Sequence, residues 1–308
     1  MSLPRVILSA IIGIALQVFL RGNACLAQCP ASPAAFTMAD ALGRTGCVLE
    51  LNLRLQDLEQ LPTGLAQLPR LRSLHVQNNH LRYLPAEVTR LDSLRELFAN
   101  ENKLLSLPTD LGSLRQLRQL QIDKNALTEL PASVGRLDSL RYLILAWNNF
   151  ASLPEQLGQL RQLEYFDASH NQLLFLPATL GQMRRLRYVM LSDNKLTSLP
   201  AQLGGWQQLQ ELNLANNQLE ALPATIGSCR ALKSLVLTNN QLKVLPKSLG
   251  KLTNLEMLVI SDNQLTALPR SISKLKKLKT VILRNNAFTA EARVQAQALL
   301  PGTKFYFE

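Results

Sequence analysis

The chain has 308 residues, of which 47% are hydrophobic and 5% aromatic, and its formal net charge is +11. This length could hold one or two ordinary domains. The basic charge favours anionic partners, but nucleic acid is not expected, because the aromatic residues do not interleave with the basic ones as a base-stacking groove requires.

Residues 1–27 differ from the rest of the chain. Arg5 precedes the apolar run 6–20, and small residues follow at Ala24 and Ala27. Because a run of about 15 apolar residues is short for a bilayer span, we interpret the segment as a secretory signal peptide cleaved after Ala27. The mature protein is then expected to be secreted, periplasmic or associated with the cell envelope, with no transmembrane domain.

Two other interpretations of this segment stay open. Leu26-Ala27-Gln28-Cys29 faintly resembles a lipoprotein processing site, which would place a lipid on Cys29. An uncleaved membrane anchor is the second alternative, although Arg21 limits its length. If the segment is not a working signal, the protein is cytoplasmic.

Residues 28–47 are interpreted as an N-terminal cap. Cys29 and Cys47 bracket this segment and could form a disulfide that seals the first repeat, with two free thiols as the alternative. Residues 39–44 are predicted to form a short helix. Residues 47–55 are predicted to enter the first strand.

A 23-residue pattern fills most of the remaining chain, written L-x-x-L-x-L-x-x-N-x-L-x-x-L-P-x-x-(L/V/I)-x-x-L-x-x. A period of about 20 to 29 residues with this leucine spacing is typical of a solenoid, in which each unit buries its apolar face only by stacking on its neighbours. The units begin at Val48, Leu71, Leu94, Leu117, Leu140, Leu163, Leu186, Leu209, Leu232, Leu255 and Leu278.

Each position of the unit predicts a structural role. Apolar residues at positions four and six, such as Leu120 and Ile122, alternate with variable ones and indicate a short strand with one buried face. Asn at position nine, such as Asn125, is predicted to bond backbone groups where the chain leaves the strand. Leu-Pro at positions fourteen and fifteen is predicted to begin a helical or irregular convex turn. The following Gly, such as Gly135, is predicted to adopt positive φ and turn the chain back.

The terminal units depart from the pattern. Gln56 replaces the ninth-position Asn in the first unit, as expected for a repeat with one side in solvent. The eleventh unit keeps Asn286 and Phe288 but has no Leu-Pro. Residues 289–300 are predicted to form an amphipathic helix, and residues 305–307 a final short strand or apolar plug.

The motif Leu74-x-Val76-x-x-Asn79-x-Leu81-x-x-Leu84-Pro85 resembles the leucine-rich repeats of Scribble-like, plant Ras-group-related and bacterial leucine-rich repeat proteins. The resemblance implies an α/β repeat solenoid, a leucine-rich repeat horseshoe with a parallel concave sheet and short helical or irregular convex turns. It also implies a non-enzymatic protein-binding scaffold that contacts its partners through the concave face. The expected organisation is a solenoid over 48–288, whose eleventh repeat merges into a C-terminal cap at 289–308.

Two relatives of this family fit less well. Bacterial effector ubiquitin ligases have shorter repeats and a catalytic domain, for which this sequence has no counterpart. Cytoplasmic scaffold members have no signal-like segment, so a Ras-type role is not expected.

The sequence contains no pattern that predicts catalysis. His75 and His80 lie in the second unit and His170 in the sixth, and no Cys/His cluster has zinc spacing. No Gly-rich loop precedes a helix as phosphate binding requires. The histidines are interpreted as solvated surface residues, and no catalytic group, metal or cofactor is expected.

The outward strand residues, at positions three, five, seven and eight, are where partner specificity is expected. Tyr142, Tyr165 and Tyr188 share position three of consecutive units, which predicts rings side by side about 4.8 Å apart. Exposed tyrosine and tryptophan are typical of recognition sites, although an aromatic ladder could also merely stiffen the sheet. The predicted site for a protein or peptide ligand consists of Phe98, Tyr142, Ile144, Trp147, Tyr165, Asp167, Tyr188 and Met190.

Val236, Val259 and Ile282 continue position five as an apolar stripe. This stripe either extends the same groove or reflects β propensity at half-exposed sites. The sequence favours neither interpretation.

Arginine and lysine gather before each strand and at position two, and these residues are called the basic edge. It could bind an anionic lipid or polysaccharide, so a cell-envelope structural protein is the alternative function. Such an edge more often only keeps a leucine-rich chain soluble. The basic edge comprises Arg70, Arg72, Arg95, Arg115, Arg118, Arg141, Arg161, Arg184, Arg185, Arg187, Lys274, Lys276, Lys277 and Lys279.

Overall fold

Residues 33–308 are described by the structure, a computed structural model. The predicted signal peptide at 1–27 lies outside these residues, and so does Cys29 with the lipidation and disulfide predicted for it. The described part of the chain is built from the 23-residue units and a segment at either side of them.

One parallel sheet runs through the described residues, with its thirteen strands in sequence order. Neighbouring strands pair without any shift between repeats, so that Leu120 lies opposite Leu143 and Leu143 opposite Phe166. The predicted leucine-rich repeat horseshoe with a parallel sheet is confirmed. The strands are β1 (Ala34–Ala35), β2 (Glu50–Asn52), β3 (Ser73–His75), β4 (Glu96–Phe98), β5 (Gln119–Gln121), β6 (Tyr142–Ile144), β7 (Tyr165–Asp167), β8 (Tyr188–Met190), β9 (Glu211–Asn213), β10 (Ser234–Val236), β11 (Met257–Val259), β12 (Thr280–Ile282) and β13 (Lys304–Tyr306).

The strands are shorter than the sequence suggests. The first repeat was predicted to form a strand over 47–55, but β2 covers only Glu50–Asn52. The strand ends early because the backbone turns to positive φ at position eight, where Leu55 has φ 56°. β1, which pairs with β2 from the capping segment, was not predicted.

The core lies between the sheet and the turns and consists mainly of leucine. Side chains at positions four and six, such as Leu120 and Ile122, are fully buried. Residues after the Asn, such as Leu127, and in the turn, such as Val134, close the other sides. Burying a side chain of this kind contributes about 1.5–3 kcal/mol, so one repeat gains stability only where a neighbour covers it.

The ninth-position asparagines form a column along the core, called here the asparagine column. The Asn171 amide nitrogen donates to the carbonyls of Leu145 at 3.1 Å, Ala168 at 3.2 Å and Ser169 at 3.0 Å. Its Oδ1 accepts from the Phe150 N–H at 3.0 Å. Both ends of the amide are satisfied by backbone groups, as predicted for a buried polar residue.

The convex side consists of short 3-10 turns. Proline stands immediately before most of them in an extended conformation, as at Pro131 with φ −63° and ψ 142°. The Leu-Pro pair therefore begins the turn, as predicted. The turns are Leu65–Gln67, Ala86–Arg90, Leu111–Ser113, Ala132–Arg136, Glu155–Gln159, Ala178–Gln182, Ala201–Gly205, Ala224–Ser228, Lys247–Lys251 and Arg270–Lys274.

The role predicted for the turn glycines is wrong. Among the described glycines only Gly64 has positive φ, so the residues at position nineteen do not turn the chain through the left-handed region. They are glycine because successive turns pack closely: a Cβ on Gly158 would lie 2.3 Å from the carbonyl oxygen of Thr179. Close approach of two backbones selects glycine here.

One turn departs from this regularity. Trp206 fills the position-twenty-one slot that leucine occupies in most units, is fully buried, and donates from Nε1 to the Leu180 carbonyl at 2.7 Å. Gly205 lies beside it, and a Cβ there would come within 1.9 Å of the Gly181 carbonyl oxygen. Cys229 fills the same slot one unit later, and burial raises the pKa of its thiol to about 11, as suits a small core residue.

Each side of the solenoid is covered by a short segment. Helix α1 (Met38–Gly43) begins at Thr37, whose hydroxyl accepts from the Asp40 N–H, and lies one residue earlier than predicted. Helix α2 (Ala290–Leu299) is capped in the same way by Thr289. β13 follows it at Lys304–Tyr306, one residue earlier than the short strand or apolar plug predicted over 305–307, and Phe307 packs against Phe288 at 5.7 Å between ring centroids.

Candidate functional site

The three tyrosines predicted to line the sheet form a continuous column, called here the tyrosine column. Tyr142, Tyr165 and Tyr188 are register partners on β6, β7 and β8. Their ring centroids lie 6.4 Å and 6.2 Å apart, and neighbouring rings are tilted by 34° and 39°. The rings are thus farther apart than the strands, because offset and tilt suit aromatic pairs better than face-to-face contact. Tyr142 remains 42% exposed.

A second column lies beside it at position five. Ile144, Asp167 and Met190 are register partners and half-buried. Asp167 Oδ1 accepts from the N–H and the hydroxyl of Ser169, at 2.9 and 2.6 Å. This contact orients the carboxylate at the centre of the patch, flanked by apolar side chains.

Trp147 lies five residues after Tyr142, just beyond the end of β6. It occupies position eight, with φ 56° and 55% of its side chain exposed. Its indole stacks on the His170 ring at 3.7 Å between centroids and 13° between planes. His170 Nε2 in turn lies 3.4 Å from Asp193 Oδ2, so the exposed indole is supported by an ordered neighbour.

Phe98 is not part of the same patch. It lies on β4 and stacks on His75 at 4.6 Å between ring centroids. Gln121 of β5 stands between Phe98 and Ile144 in the register. The predicted site residues therefore fall into two groups, with Phe98 apart from the rest.

The patch is electrostatically acidic. Burial raises the pKa of Asp123, a backbone hydrogen bond and Lys124 oppose this shift, and Glu101 and Asp167 add to it. Burial also raises the pKa of Tyr165, with further contributions from Asp167 and Glu211. A hydroxyl that stays protonated keeps a hydrogen-bond donor on the concave face.

The histidines are less solvated than predicted. His75 is half-buried, its Nε2 lies 2.9 Å from the Ser73 hydroxyl, and burial lowers its pKa although Glu50 and Glu96 oppose this. His170 is covered by Trp147. Only His80 remains largely exposed, because aromatic neighbours one repeat away cover the other two rings.

The backbone conformation at the eighth position was not predicted from the sequence. From Asn78 to Asn285, the residue there has positive φ in every repeat. Asn and Asp tolerate this conformation best among residues other than glycine, and they occupy six of these positions. Their frequency at position eight is the sequence pattern that could have predicted the positive φ. Their side chains join along the sheet: the Asn216 amide donates to Asp193 at 2.7 Å, and the Asn239 amide to Asn216 at 3.0 Å.

The basic edge contains a groove of about 700 Å³ lined by Arg161, Arg184 and Arg185. No carboxylate is among its lining residues, and Gly181 and Gly205 form part of its wall. Elsewhere the edge is partly neutralised, as where Arg115 pairs with Asp138 at 3.1 Å. The groove is therefore lined by arginines that have no carboxylate beside them.

Metal-binding and membrane-spanning features are absent from the part of the chain that the structure describes. No group of three or more His, Cys, Asp or Glu residues within 33–308 could hold a metal ion. Over the same residues, no helix has both the length and the apolar character needed to cross a bilayer. Cys47 is disulfide-bonded, and since Cys29 lies outside the described residues, the pairing of these two stays a prediction.

Family models of leucine-rich repeats match the sequence in several places. A leucine-rich repeat region matches residues 105–186 and 131–218, and two further leucine-rich repeat models match residues 208–229 and 230–288. Comparison with curated proteins found no match.

Solved structures share the fold. The functional domain of InlJ from Listeria monocytogenes has a TM-score of 0.72 at 23% identity, covering 86% of this chain and 54% of that chain. The internalin InlF from Listeria monocytogenes has 0.67 at 22%, covering 89% and 84%. The ectodomain of the receptor kinase GASSHO1/SCHENGEN3 from Arabidopsis thaliana has 0.63 at 24%, covering 89% and 40%. The chain thus spans little more than half of InlJ and less than half of the receptor ectodomain, and these identities show the fold alone.

Proposed function

Because the chain is a leucine-rich repeat protein, we propose that it is a non-enzymatic recognition module that binds a protein or peptide ligand on its concave face. The single observation that carries the proposal is the contiguous patch formed by the tyrosine column, Ile144, Asp167 and Met190. The patch contacts solvent through large side chains that are already ordered by their neighbours.

Physical reasons favour recognition over simple stiffening of the sheet. Tyrosine offers a large apolar contact area and a hydroxyl at little cost in conformational entropy. A ladder that only stiffens the sheet has no need of the central carboxylate of Asp167, which is half-buried at some cost in solvation. Trp147 adds an exposed indole at the margin of the same face.

We place the protein outside the cytoplasm, as secreted, periplasmic or associated with the cell envelope. The support is the signal-like composition of residues 1–27 and the disulfide at Cys47. N-terminal sequencing of the mature protein tests this: a start at Gln28 supports cleavage, a lipid on Cys29 supports the lipoprotein alternative, and an intact N-terminus contradicts both.

The test of the function compares the full chain with the variant Tyr142→Ala/Tyr165→Ala/Tyr188→Ala in a crosslinking pull-down from medium and envelope fractions. Captured proteins are identified, purified and titrated against both forms. Loss of the tyrosine contacts is expected to weaken binding at least about tenfold, the range of interface hot spots.

A matched control removes three exposed apolar side chains from position thirteen, away from the concave face: Tyr83→Ala/Phe175→Ala/Val244→Ala. These side chains are 57%, 56% and 66% exposed. The control is expected to bind the partner like the wild type. Equal binding by the tyrosine variant would refute the proposed site.

A second candidate function is association with an anionic envelope surface, and the arginine-lined groove in the basic edge favours it. Vesicles with and without phosphatidylglycerol are the probe, and association should fall as salt rises because exposed charges are screened. Arg161→Gln/Arg184→Gln/Arg185→Gln should abolish it, whereas Arg82→Gln/Arg90→Gln/Arg136→Gln, with the same change in charge outside the edge, should not. Equal loss in both variants would leave only a net-charge effect and contradict the groove.

A further inference from the structure

The concave face has the opposite charge to the rest of the chain. Positions three, five, seven and eight carry eight carboxylates against Arg54, Lys124 and Arg284, although the chain as a whole is +11. A face that is acidic within a basic protein selects a cationic partner, because complementary charge steers the encounter and fixes orientation. The carboxylates are Glu50, Glu96, Glu101, Asp123, Asp167, Asp193, Glu211 and Asp262.

Most of these carboxylates already have partners. Glu101 pairs with Lys124, Asp193 with His170, and Asp262 accepts from the Asn285 amide at 2.7 Å. Glu50 lies 3.7 Å from His75, and Glu96 accepts from the Ser73 hydroxyl at 2.9 Å.

Within residues 33–308, three carboxylates form no salt bridge and accept no hydrogen bond from a neighbouring repeat: Asp123, Asp167 and Glu211. Asp167 is bound only by Ser169 and keeps one oxygen free of hydrogen bonds within the described chain. Asp123 is half-buried and accepts no hydrogen bond from a side chain of the described residues, although the positive charge of Lys124 acts on it, and Glu211 is exposed. Asp167 and Glu211 lie beside the tyrosine column, on β7 and β9, and their negative charges act on Tyr165.

The three carboxylates lie on one diagonal of the sheet. Asp123 is at position seven of the fourth repeat, Asp167 at position five of the sixth and Glu211 at position three of the eighth. From one carboxylate to the next, the diagonal crosses two strands and moves back two residues. With the strand spacing and residue rise of a parallel sheet, successive carboxylate positions are about 12 Å apart. Four residues of an extended peptide span about 13 Å, so the two spacings match.

Apolar side chains stand between the carboxylates. Ile144 lies between Asp123 and Asp167, and it is the register partner of Asp167. Met190 and Tyr188 lie between Asp167 and Glu211, as the partners of these two residues on β8. The diagonal therefore alternates acidic and apolar positions.

We propose that the ligand is an extended peptide segment of a partner protein that lies along this diagonal, with Lys or Arg at every fourth residue and an apolar residue midway between them. Alternate side chains of an extended chain point to one side, so the basic and apolar residues all face the sheet. The basic side chains meet Asp123, Asp167 and Glu211, and the middle one also meets the Tyr165 ring, where a cation is attracted to the aromatic face. The proposal rests on the proposed function.

The test uses a fluorescein-labelled peptide, Lys-Ser-Leu-Ser-Lys-Ser-Leu-Ser-Lys with an amidated C-terminus, titrated with the full chain and followed by fluorescence anisotropy. Asp123→Asn/Asp167→Asn/Glu211→Gln is expected to weaken binding by about tenfold, since each partly exposed ion pair contributes a few-fold. The amides preserve size, and the new amide oxygen that replaces the Asp167 carboxylate can still accept from Ser169. Folding is therefore retained and is checked by circular dichroism.

The matched control is Glu50→Gln/Glu96→Gln/Asp262→Asn, which removes the same charge from the same face but off the diagonal. The second control is a peptide of equal composition in the order Lys-Lys-Lys-Ser-Leu-Ser-Ser-Leu-Ser. Both controls keep the number of charges and change their positions, so they distinguish an effect of charge spacing from an effect of net charge. Equal loss in the two protein variants, equal binding of the two peptides, or no binding of the first peptide would each overturn the proposal.

Failure of this inference is distinguishable from failure of the proposed function. A natural partner that is lost with the tyrosine variant but kept by the diagonal variant supports concave-face recognition and overturns the cationic segment. Insensitivity to both variants overturns both. Concentration-dependent dimerisation in light scattering that the diagonal variant abolishes would overturn the peptide ligand and assign the face to a second copy of this chain, whose basic edge would then be the occupant.

Discussion

In the asparagine column, one side chain per repeat satisfies the backbone groups that the sheet leaves without hydrogen bonds. A backbone that leaves its strand after three residues has N–H and C=O groups that no sheet partner satisfies. Each asparagine supplies donors to three carbonyls and an acceptor to an N–H of the preceding repeat, as Asn171 does for Leu145, Ala168, Ser169 and Phe150. Glutamine in the first repeat, Gln56, reaches only the Phe36 carbonyl, which a terminal unit tolerates.

Replacing one member of the column tests this role. Asn171→Ala leaves the buried Phe150 N–H without its acceptor and removes one of the two amide donors to the Leu145 carbonyl, so the free energy of unfolding is expected to fall by about 2–3 kcal/mol. The neighbouring exposed substitution Gln172→Ala should cost no more than about 0.5 kcal/mol. Urea unfolding measures both, and similar small effects would mean that the column is not structural.

The half-buried carboxylate of Asp123 should cost stability at neutral pH. Burial raises its pKa above the ordinary value of 3.8. At a pH between the ordinary and the raised value, the folded state therefore holds a proton that the unfolded state has already lost. Stability from this group is present below the ordinary pKa and is lost as pH rises through the raised one. Asp123→Asn should therefore raise the unfolding temperature at pH 7, and the gain should shrink toward pH 3.8.

Thermal unfolding monitored by circular dichroism across this pH range measures the effect. Asp138→Asn is the control, because this carboxylate is exposed and paired with Arg115. It should show no comparable gain. A destabilised Asp123→Asn at neutral pH would contradict the account.

At the scale of elements, the sequence predicted where the strands and turns lie, but it did not predict why glycine is needed in the turns. Alternation around Leu120 placed the strand, and Leu-Pro placed the turn, because both depend on neighbours within one repeat. The reason for Gly158 was missed since it depends on Thr179, one repeat further on, and on how closely two turns stack. Contacts across repeats are not encoded in any local pattern.

Gly158→Ala tests the close approach of the turns. The added Cβ would lie 2.3 Å from the Thr179 oxygen, so the turns must separate, and a loss of about 2 kcal/mol or more is expected. Gly43→Ala is the control of opposite sign. No atom lies within 4 Å of its added Cβ, and alanine in helix α1 should stabilise by about 0.5 kcal/mol. Urea unfolding of both variants decides: equal effects would contradict steric selection.

The candidate site was predictable only in part, for the same reason. Tyr142, Tyr165 and Tyr188 share one position of the repeat, so their adjacency follows from the period alone. The stacking of Trp147 on His170 depends on the left-handed backbone at position eight. Because many residue types occupy this position, the sequence does not predict that conformation. Phe98 shares its position with Ile144, yet one intervening strand separates the two.

At the scale of the whole molecule, the edges of the sheet are the places where the protein is most prone to associate with other chains. Every interior strand is paired on both sides, whereas a terminal strand offers unpaired backbone groups to other chains. β13 covers β12: the Leu283 N–H donates to the Tyr306 carbonyl at 2.7 Å, and the Thr303 hydroxyl to the Leu278 carbonyl at 2.6 Å. Helix α2 and Phe307 close the core above them.

Deleting residues 289–308 should therefore both destabilise the protein and make it associate. Leu278, Val281, Leu283 and Phe288, all at most 7% exposed in the intact protein, lose their cover, which costs about 5 kcal/mol or more if each contributes as a buried side chain does. The bared edge of β12 should pair with another copy, so light scattering should show concentration-dependent oligomers while the intact chain at the same concentration does not. Arg293→Ala is the matched control, since it removes the contact with Glu308 at 2.7 Å and the cation–π contact with the Phe307 ring at 5.5 Å but leaves β13 in place. A truncated protein that stays monomeric and unfolds like the intact chain would show that the segment does not act as a cap, whereas association in the truncation alone assigns the protection to β13 and α2 and not to surface charge.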